Sequence, residues 1–163
     1  MIHWLVAVML ALQPVAPWRG TYRDTAAAID RAAHAAPLYL GEDGPSRTAL
    51  ELIAIAWHES RFQPDALAED GSGTVCLGQV DARGLMASAE AIRTDLDLCV
   101  HAMLERARES HRVCRLRGRD GLERLGQYTG GGGSCSRGLE ASRRRAGLAD
   151  ALAARFPVRW VEE

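Results

Sequence analysis

One carboxylate in the sequence, Glu59, lies where its protonation could serve catalysis. It falls at the C-terminal end of a predicted helix, and the negative end of the helix dipole raises the pKa of a carboxyl group there. Trp57 and Phe62 are close in sequence and could shield it from water. A carboxyl group with a raised pKa can act as a general acid near neutral pH. By position alone a solvated glutamate is the simpler interpretation, so a chemical role needs further support.

Two other chemical patterns in the sequence are incomplete. The pair His58-Glu59 opens a zinc-protease motif, but that motif needs a second His at position 62, where this chain has Phe62. The glycine run 130–133 is not followed by the Lys and Ser or Thr of a phosphate-binding loop, and we interpret it as a loop beside a groove. The sequence therefore predicts no metal site and no cofactor.

A helix that begins at an N-capping Ser46 must position Glu59. Its apolar residues recur at helical spacing and must face a core: Leu50, Ile53, Ala54 and Trp57. The same reasoning predicts further helices over about 24–36 (with Asp24 as its cap), 88–111, 122–128 and 136–155. Residues 63–73 are predicted to form a loop, and the apolar run 74–80 is predicted to pass through the interior. The predicted fold class is mainly α.

The length and the net charge of the chain limit the classes of protein to which it can belong. A chain of 163 residues is the size of one domain, and a net charge of -1 argues against a surface built to bind nucleic acid. All 20 basic side chains are Arg, and 11 of them lie in the stretch 106–145. That stretch could contact an anionic polymer, could suit nucleic acid, or could be a solvated helix face. We predict no nucleic-acid partner.

The N-terminal segment 1–16 contains an apolar run from Trp4 to Leu12. The run is too short to cross a membrane, which takes about 20 residues, and has the length of a signal-peptide core. We predict that residues 1–16 form a signal peptide or a short N-terminal anchor and that the chain is exported to the periplasm or outside the cell. The alternative interpretation is a buried N-terminal helix.

Four cysteines fit an exported chain, because an even number in such a chain indicates two disulfides: Cys76, Cys99, Cys114 and Cys135. No two of them are spaced as Cys-x-x-Cys, which disfavours a structural zinc site. Four buried free thiols in a reducing compartment are the alternative.

Three short blocks, in the order of the chain, carry a resemblance to one known family. The first runs Glu59-Ser60-Arg61-Phe62-Gln63-Pro64-Asp65-Ala66 and is similar to the family's Glu-Ser-x-Phe-x-Pro-x-Ala. The second, similar to Gly-Ala-x-Gly-Leu-Met-Gln-Leu, runs Gly73-Thr74-Val75-Cys76-Leu77-Gly78-Gln79-Val80. The third, similar to Ala-x-Tyr-Asn-x-Gly, lies within 125–131 and contains Tyr128 and Thr129. Cys76, Gly78 and Thr129 depart from the family's Gly, Met and Asn. The three blocks cover about residues 46–135 and together resemble the lytic transglycosylase (SLT, lysozyme-like) family.

The resemblance implies a lysozyme-like domain over 24–156 with a glycan-binding groove and Glu59 as its catalytic carboxylate. It places four residues against the substrate: Ser60, Gln79, Tyr128 and Thr129. It also implies the pairing Cys76–Cys99 and Cys114–Cys135, which small exported relatives suggest. A bond between Cys99 and Cys114 is disfavoured, because 15 helical residues separate them by about 22 Å.

The implied activity is cleavage of the β-1,4 bond between N-acetylmuramic acid and N-acetylglucosamine in peptidoglycan, with 1,6-anhydromuramic ends as products. Glu59 would then be both acid and base. Two alternatives stay open. A goose-lysozyme-like hydrolase would need a second carboxylate, for which the candidates are Asp65, Glu69, Asp70 and Asp81. A catalytically silent peptidoglycan-binding component of a secretion apparatus would keep the groove residues but would tolerate loss of the catalytic acid. The expected partners are peptidoglycan glycan strands and proteins of a secretion system or a phage assembly, and the chain is expected to be a monomer.

Overall fold

Helices dominate residues 1–68, 72–130 and 135–157, which the computed structural model describes. The helices found there are α1 (Ile2–Leu12), α2 (Tyr22–Ala35), α3 (Gly44–Ser60), α4 (Ala89–Thr94), α5 (Leu96–Leu116), α6 (Gly126–Gly130) and α7 (Leu139–Arg155). Two short strands, β1 (Thr74–Val75) and β2 (Val80–Asp81), pair as an antiparallel hairpin. The predicted mainly α class is confirmed, and the lysozyme-like fold with its groove stays a prediction.

The helix α3 lies at the centre of the core. All its residues from 48 to 56 are buried, and it packs against α7, α2, α1 and α5. The sequence predicted a single apolar face, but neighbours surround this helix on all sides. A helix that is buried all round has no solvent-facing stripe. Glu59, in the last turn of α3, is therefore carried by the most constrained element of the fold.

Several helix ends differ from the prediction. Ser46 is not the cap of α3, because the helix begins at Gly44 with Pro45 in its first turn, a position where the missing N–H of proline costs nothing. The Ser46 hydroxyl instead donates to the Asp43 carbonyl, 2.8 Å away. Asp24 likewise lies inside the first turn of α2, which begins at Tyr22.

The predicted helix over 88–111 is in fact two helices. Asp95 has an extended backbone, and its carboxylate accepts the amide of Leu98 at 3.1 Å, so that it caps α5. Ser88 caps the short α4 in the same way. The two later helices are also shorter than predicted. A 3-10 turn over Gly121–Glu123 precedes α6, and α7 begins at Leu139. The apolar run 74–80 forms the hairpin.

The N-terminal segment packs into the core as α1. Leu5, Val8 and Met9 are fully buried, and the hydroxyl of Tyr22 on α2 donates to the Gln13 carbonyl that follows α1. This is the arrangement of the alternative interpretation, a buried N-terminal helix, and cleavage of the segment stays a prediction. Within the described ranges, no helix has the length and apolarity needed to cross a membrane.

Two disulfides connect the helices to the segments between them, in the predicted pairing. Cys76–Cys99 joins the hairpin to the first turn of α5, and Cys114–Cys135 joins the last turn of α5 to the segment before α7. Disulfides of this kind persist in oxidising compartments, so they indicate an exported protein.

Candidate active site

Glu59 is paired with Arg145, a residue 86 positions further along the chain. The Nε and Nη2 atoms of Arg145 both bind Oε1 of Glu59, at 2.8 and 2.7 Å. The side chains are withdrawn from solvent, with 11% of Arg145 and 17% of Glu59 exposed. Because Glu59 ends α3 and Arg145 lies in the middle of α7, the packing of these two helices creates the pair.

Burial raises the pKa of Glu59, while the charge and the hydrogen bond of Arg145 act in the opposite direction and do not fully offset it. The sequence predicted a raised pKa, but without Arg145. Phe62, expected to help shield the acid, is fully buried against the rings of Tyr22 and Trp57, at centroid distances of 5.5 and 5.9 Å. A carboxyl group with a raised pKa keeps its proton to higher pH than an exposed glutamate does.

Ser60 links the end of α3 to the hairpin. Its hydroxyl lies 2.7 Å from the Leu77 carbonyl, to which it donates, and 3.3 Å from the Ala56 carbonyl. The backbone of the next two residues turns sharply, with φ of 53° at Arg61 and 66° at Phe62. Ser60 therefore supports the element that carries Glu59, and a contact with substrate stays a prediction.

Backbone strain is concentrated around these two segments. Besides Arg61 and Phe62, the non-glycine residues with positive φ in the described part of the chain are Cys76 (64°) and Gln79 (48°), both in the hairpin. Such conformations cost about 1–3 kcal/mol each and cluster at functional sites, where the surrounding structure holds them. Here the buried Phe62 ring and the Cys76–Cys99 disulfide supply that restraint.

Gln79 is held inside the hairpin. Its Oε1 accepts the Thr74 hydroxyl at 3.0 Å, and its Nε2 donates to the Cys76 carbonyl at 3.2 Å. These bonds orient the amide, and its expected contact with substrate stays a prediction.

Tyr128 on α6 joins the same cluster. Its hydroxyl donates to the Gly78 carbonyl at 2.8 Å, and its pKa is raised well above the usual value by burial and by the charge of Glu59. The Ser110 hydroxyl lies 3.0 Å from the Tyr128 amide and accepts it. Three predicted site residues, Glu59, Ser60 and Tyr128, are thus brought to one region.

Gly78 is required by this close approach. A Cβ atom at position 78 would lie 2.3 Å from Cγ of Met103 and 2.8 Å from the Tyr128 hydroxyl oxygen. The SLT family has Met at the matching position, and here Met103 of α5 occupies the adjoining space. In this chain the small residue at position 78 therefore has a steric reason.

Thr129 points to backbone groups. Its hydroxyl lies 2.7 Å from the Gly138 carbonyl, just before α7, and 3.2 Å from the Leu125 carbonyl. It thereby connects α6 to the start of the helix that carries Arg145. The structure gives Thr129 this connecting position, and its predicted contact with substrate stays a prediction.

The candidates for a second catalytic carboxylate differ in their surroundings. Asp81 is bound on both oxygens by Arg83, whose hydrogen bond lowers the pKa of that carboxyl group. Asp65 is exposed and lies 3.4 Å from the Gln63 amide. Glu69 and Asp70 lie outside the described residues, as do positions 131–133 of the predicted glycine loop.

Sequence reasoning missed a second charged cluster, around Glu51 in the middle of α3. Its fully buried carboxylate accepts from Tyr39, from Nε2 of His111 at 2.7 Å and from Nε of Arg124 at 2.6 Å. Burial alone would raise the pKa of Glu51, but His111 and Arg124 lower it to about 2. A lone acidic residue within the apolar run of α3 was the available signal. Arg124 also binds Asp150 on α7 at 3.0 Å, so the cluster fixes α7 against α3.

Among the described residues, no group of three or more His, Cys, Asp or Glu side chains could hold a metal ion. Compared with protein-family models, curated proteins and solved structures, the chain gives no match. A functional assignment therefore depends on the three sequence blocks and on the geometry around Glu59.

Proposed function

We propose that the chain is a peptidoglycan lytic transglycosylase with Glu59 as its general acid and base. The observation that carries the proposal is the Glu59 carboxyl group itself, whose pKa is raised by burial and which lies among segments that resemble the family's blocks. Ser60 from the first block contacts Leu77 of the second, and Tyr128 from the third contacts Gly78.

The proposed reaction has two steps. Neutral Glu59 gives its proton to the oxygen between N-acetylmuramic acid and N-acetylglucosamine, and the C1–O bond of the muramic residue breaks through an oxocarbenium-like state. The Glu59 carboxylate then takes the proton of the muramic C6 hydroxyl, whose oxygen bonds to C1 and closes a 1,6-anhydro ring. Glu59 ends the cycle protonated and no water is consumed, so one carboxylate suffices.

The hydrolytic alternative needs a base to activate water, and in inverting enzymes the two carboxyl groups are about 6.5–9.5 Å apart. Asp81 is a poor candidate, because Arg83 occupies both its oxygens. Asp65 is exposed, and its only described partner is the amide of Gln63 at 3.4 Å, so little around it would raise its basicity. Of the two candidates within the described residues, neither is therefore a well-placed second carboxylate for hydrolysis.

The proposed substrate lies outside the cytoplasm, in the periplasm or at the cell exterior, and the two disulfides fit that location. Peptidoglycan glycan strands are the proposed partner. Association with a secretion apparatus or a phage assembly is compatible with this activity, and the proposed active form is a monomer.

Product analysis of digested sacculi tests the proposal. Wild type should release muropeptides with 1,6-anhydromuramic ends, which mass spectrometry separates from hydrated reducing ends by the mass of one water. Glu59→Gln should abolish release, whereas Asp81→Asn should leave it intact. Reducing ends that depend on Asp81 would establish the hydrolase instead. Equal clearing by wild type and Glu59→Gln would reject catalysis by Glu59.

A further inference from the structure

The contact between α3 and α7 gives Glu59 two unequal oxygens. Oε1 accepts a hydrogen bond from Nε of Arg145 at 2.8 Å and forms an ion pair with Nη2 of the same residue at 2.7 Å. Among the described residues, no hydrogen-bond partner is found for Oε2. We propose that Arg145 is a positioning residue that anchors Oε1 and leaves Oε2 as the oxygen that donates and later accepts the proton. This inference rests on the proposed function and assigns a separate role to each carboxylate oxygen of the same site.

Arg145 is itself held firmly enough to orient another group. Its Nη1 atom donates to the Ala141 carbonyl at 2.9 Å, one turn earlier on α7. Nη1 of Arg145 thus binds its own helix, whereas Nε and Nη2 bind Glu59. Because a guanidinium is planar, the hydrogen bond from Nη1 to the Ala141 carbonyl restricts the directions in which Nε and Nη2 can point. With the side chain only 11% exposed, water offers little competition for these bonds.

The pair also balances charge through the proposed cycle. When Glu59 gives up its proton, a negative charge forms in a site withdrawn from water, where an isolated carboxylate is costly. Nη2 of the Arg145 guanidinium lies 2.7 Å from Oε1, which shares that charge. The same attraction weakens when Glu59 takes up the C6 proton. Arg145 therefore favours the intermediate in which Glu59 is ionised, without touching the sugar.

Other titratable groups lie beside Glu59 and Arg145 and could contribute to a measured pH dependence. Tyr128 of α6 interacts with both Glu59 and Arg145, and burial raises the pKa of its phenol, so it stays neutral. Burial lowers the pKa of His58, the neighbour of Glu59 on α3, and the charges of Arg145, Arg61 and Arg144 lower it further. A titration has to follow the Glu59 carboxyl group itself, because Arg145 also acts on His58 and Tyr128.

The experiment compares Arg145→Gln and Arg145→Lys with Arg144→Gln as the matched control. Arg144 is the next residue on α7, is 56% exposed and pairs with Glu140, so its loss removes the same charge from outside the site. We expect Arg145→Gln to lower kcat about 100-fold, the order expected for a misplaced catalytic group, with a smaller change in KM. Arg145→Lys keeps the charge but loses the fork, and should recover part of kcat. Arg144→Gln should keep kcat within about twofold, because it does not contact Glu59.

The pH profile separates positioning from a merely structural role. Arg145 lowers the pKa of Glu59, so its removal should raise that pKa and move the alkaline limb of kcat/KM to higher pH. A carbon-13 NMR titration of the Glu59 carboxyl carbon should show the same displacement in Arg145→Gln and none in Arg144→Gln. An unchanged kcat and an unchanged titration in Arg145→Gln would overturn the proposal.

Failure of this inference can be told apart from failure of the proposed function. If wild type releases no anhydromuramic products, the function is wrong, and the NMR titration still tests whether Arg145 controls Glu59. If wild type is active and Glu59→Gln is inactive while Arg145→Gln matches wild type, only the role of Arg145 is wrong. Should Arg145→Gln fail to fold by circular dichroism, Arg145→Lys decides: wild-type kcat in that variant would overturn the proposal.

Discussion

The hydroxyl of Tyr128 donates a 2.8 Å hydrogen bond to the carbonyl oxygen of Gly78, and this bond joins α6 to the hairpin. The two residues are 50 positions apart in the chain. Because Ser60 holds the same hairpin to the end of α3 through Leu77, the hairpin links Tyr128 to the helix that carries Glu59. The proposed site is therefore a set of mutually supporting contacts.

Removing the Tyr128 hydroxyl should loosen the hairpin. Tyr128→Phe leaves a carbonyl without its donor, so we expect a loss of about 1–3 kcal/mol in the free energy of unfolding and a clear fall in kcat. Tyr39→Phe is the control, since it removes a phenol hydroxyl that binds Glu51 instead of the hairpin. It should lose stability with kcat preserved. Urea unfolding and sacculus turnover measure the two effects, and equal kcat values in both variants would contradict a site-specific role of Tyr128.

Adding one methyl group at Gly78 should be harmful. The new Cβ would lie 2.3 Å from Cγ of Met103, so Gly78→Ala should cost about 1–3 kcal/mol and reduce turnover. Gly147→Ala is the matched control, because its Cβ would meet only Leu122, at 3.9 Å, within α7. There alanine should stabilise the helix by about 0.5–1 kcal/mol. Thermal unfolding of both variants gives the comparison. A stability of Gly78→Ala equal to that of wild type would show that Met103 and Tyr128 move aside freely.

Activity should depend on pH through Glu59. The first step needs the protonated acid, and burial raises the pKa of Glu59, so activity should persist to higher pH than an exposed glutamate would allow. Above that pKa the ionised form predominates, and kcat/KM should fall about tenfold for each further pH unit. Initial rates on sacculi across a buffered pH series test this. An alkaline limb that stays in place when Glu59 is replaced by Asp would assign the titration to another group.

The buried Glu51 cluster should govern acid stability. Its pKa is about 2 in the folded chain against an ordinary value of 4.5, so its contribution is complete above about pH 4.5 and is lost as the pH falls towards 2. At pH 7, Glu51→Gln should cost about 3–5 kcal/mol, because it leaves Arg124 and His111 without their buried partner. Urea unfolding from pH 7 down to pH 3 should show this difference shrinking.

Glu90→Gln is the control for that series. Glu90 is an exposed helix residue paired only with Arg93, and exposed pairs contribute little to stability. Its unfolding curve should therefore stay close to that of wild type at every pH. A Glu51→Gln variant as stable as Glu90→Gln at neutral pH would mean that the buried cluster adds nothing to stability.

Local spacing was sufficient for much of the fold. Apolar periodicity located most of the longer helices, and the four cysteines together with the family resemblance predicted both disulfides. Helix ends were harder, because a single polar side chain decides between continuing and stopping. Asp95 divided one predicted helix into α4 and α5 by capping the second. The lysozyme-like fold and the contacts with substrate remain predictions.

By itself, the sequence determined the candidate acid and its neighbours in the chain, because Glu59 and Ser60 belong to one short block whose spacing can be read directly. Only the tertiary structure decided what surrounds that acid. In the sequence, nothing distinguishes Arg145 from the other Arg residues of the basic stretch. Only the packing of α7 on α3 brings it to Glu59, 86 residues away. The physical reason is that a pKa depends on burial and on nearby charges, and both are set by helix packing between residues far apart in sequence.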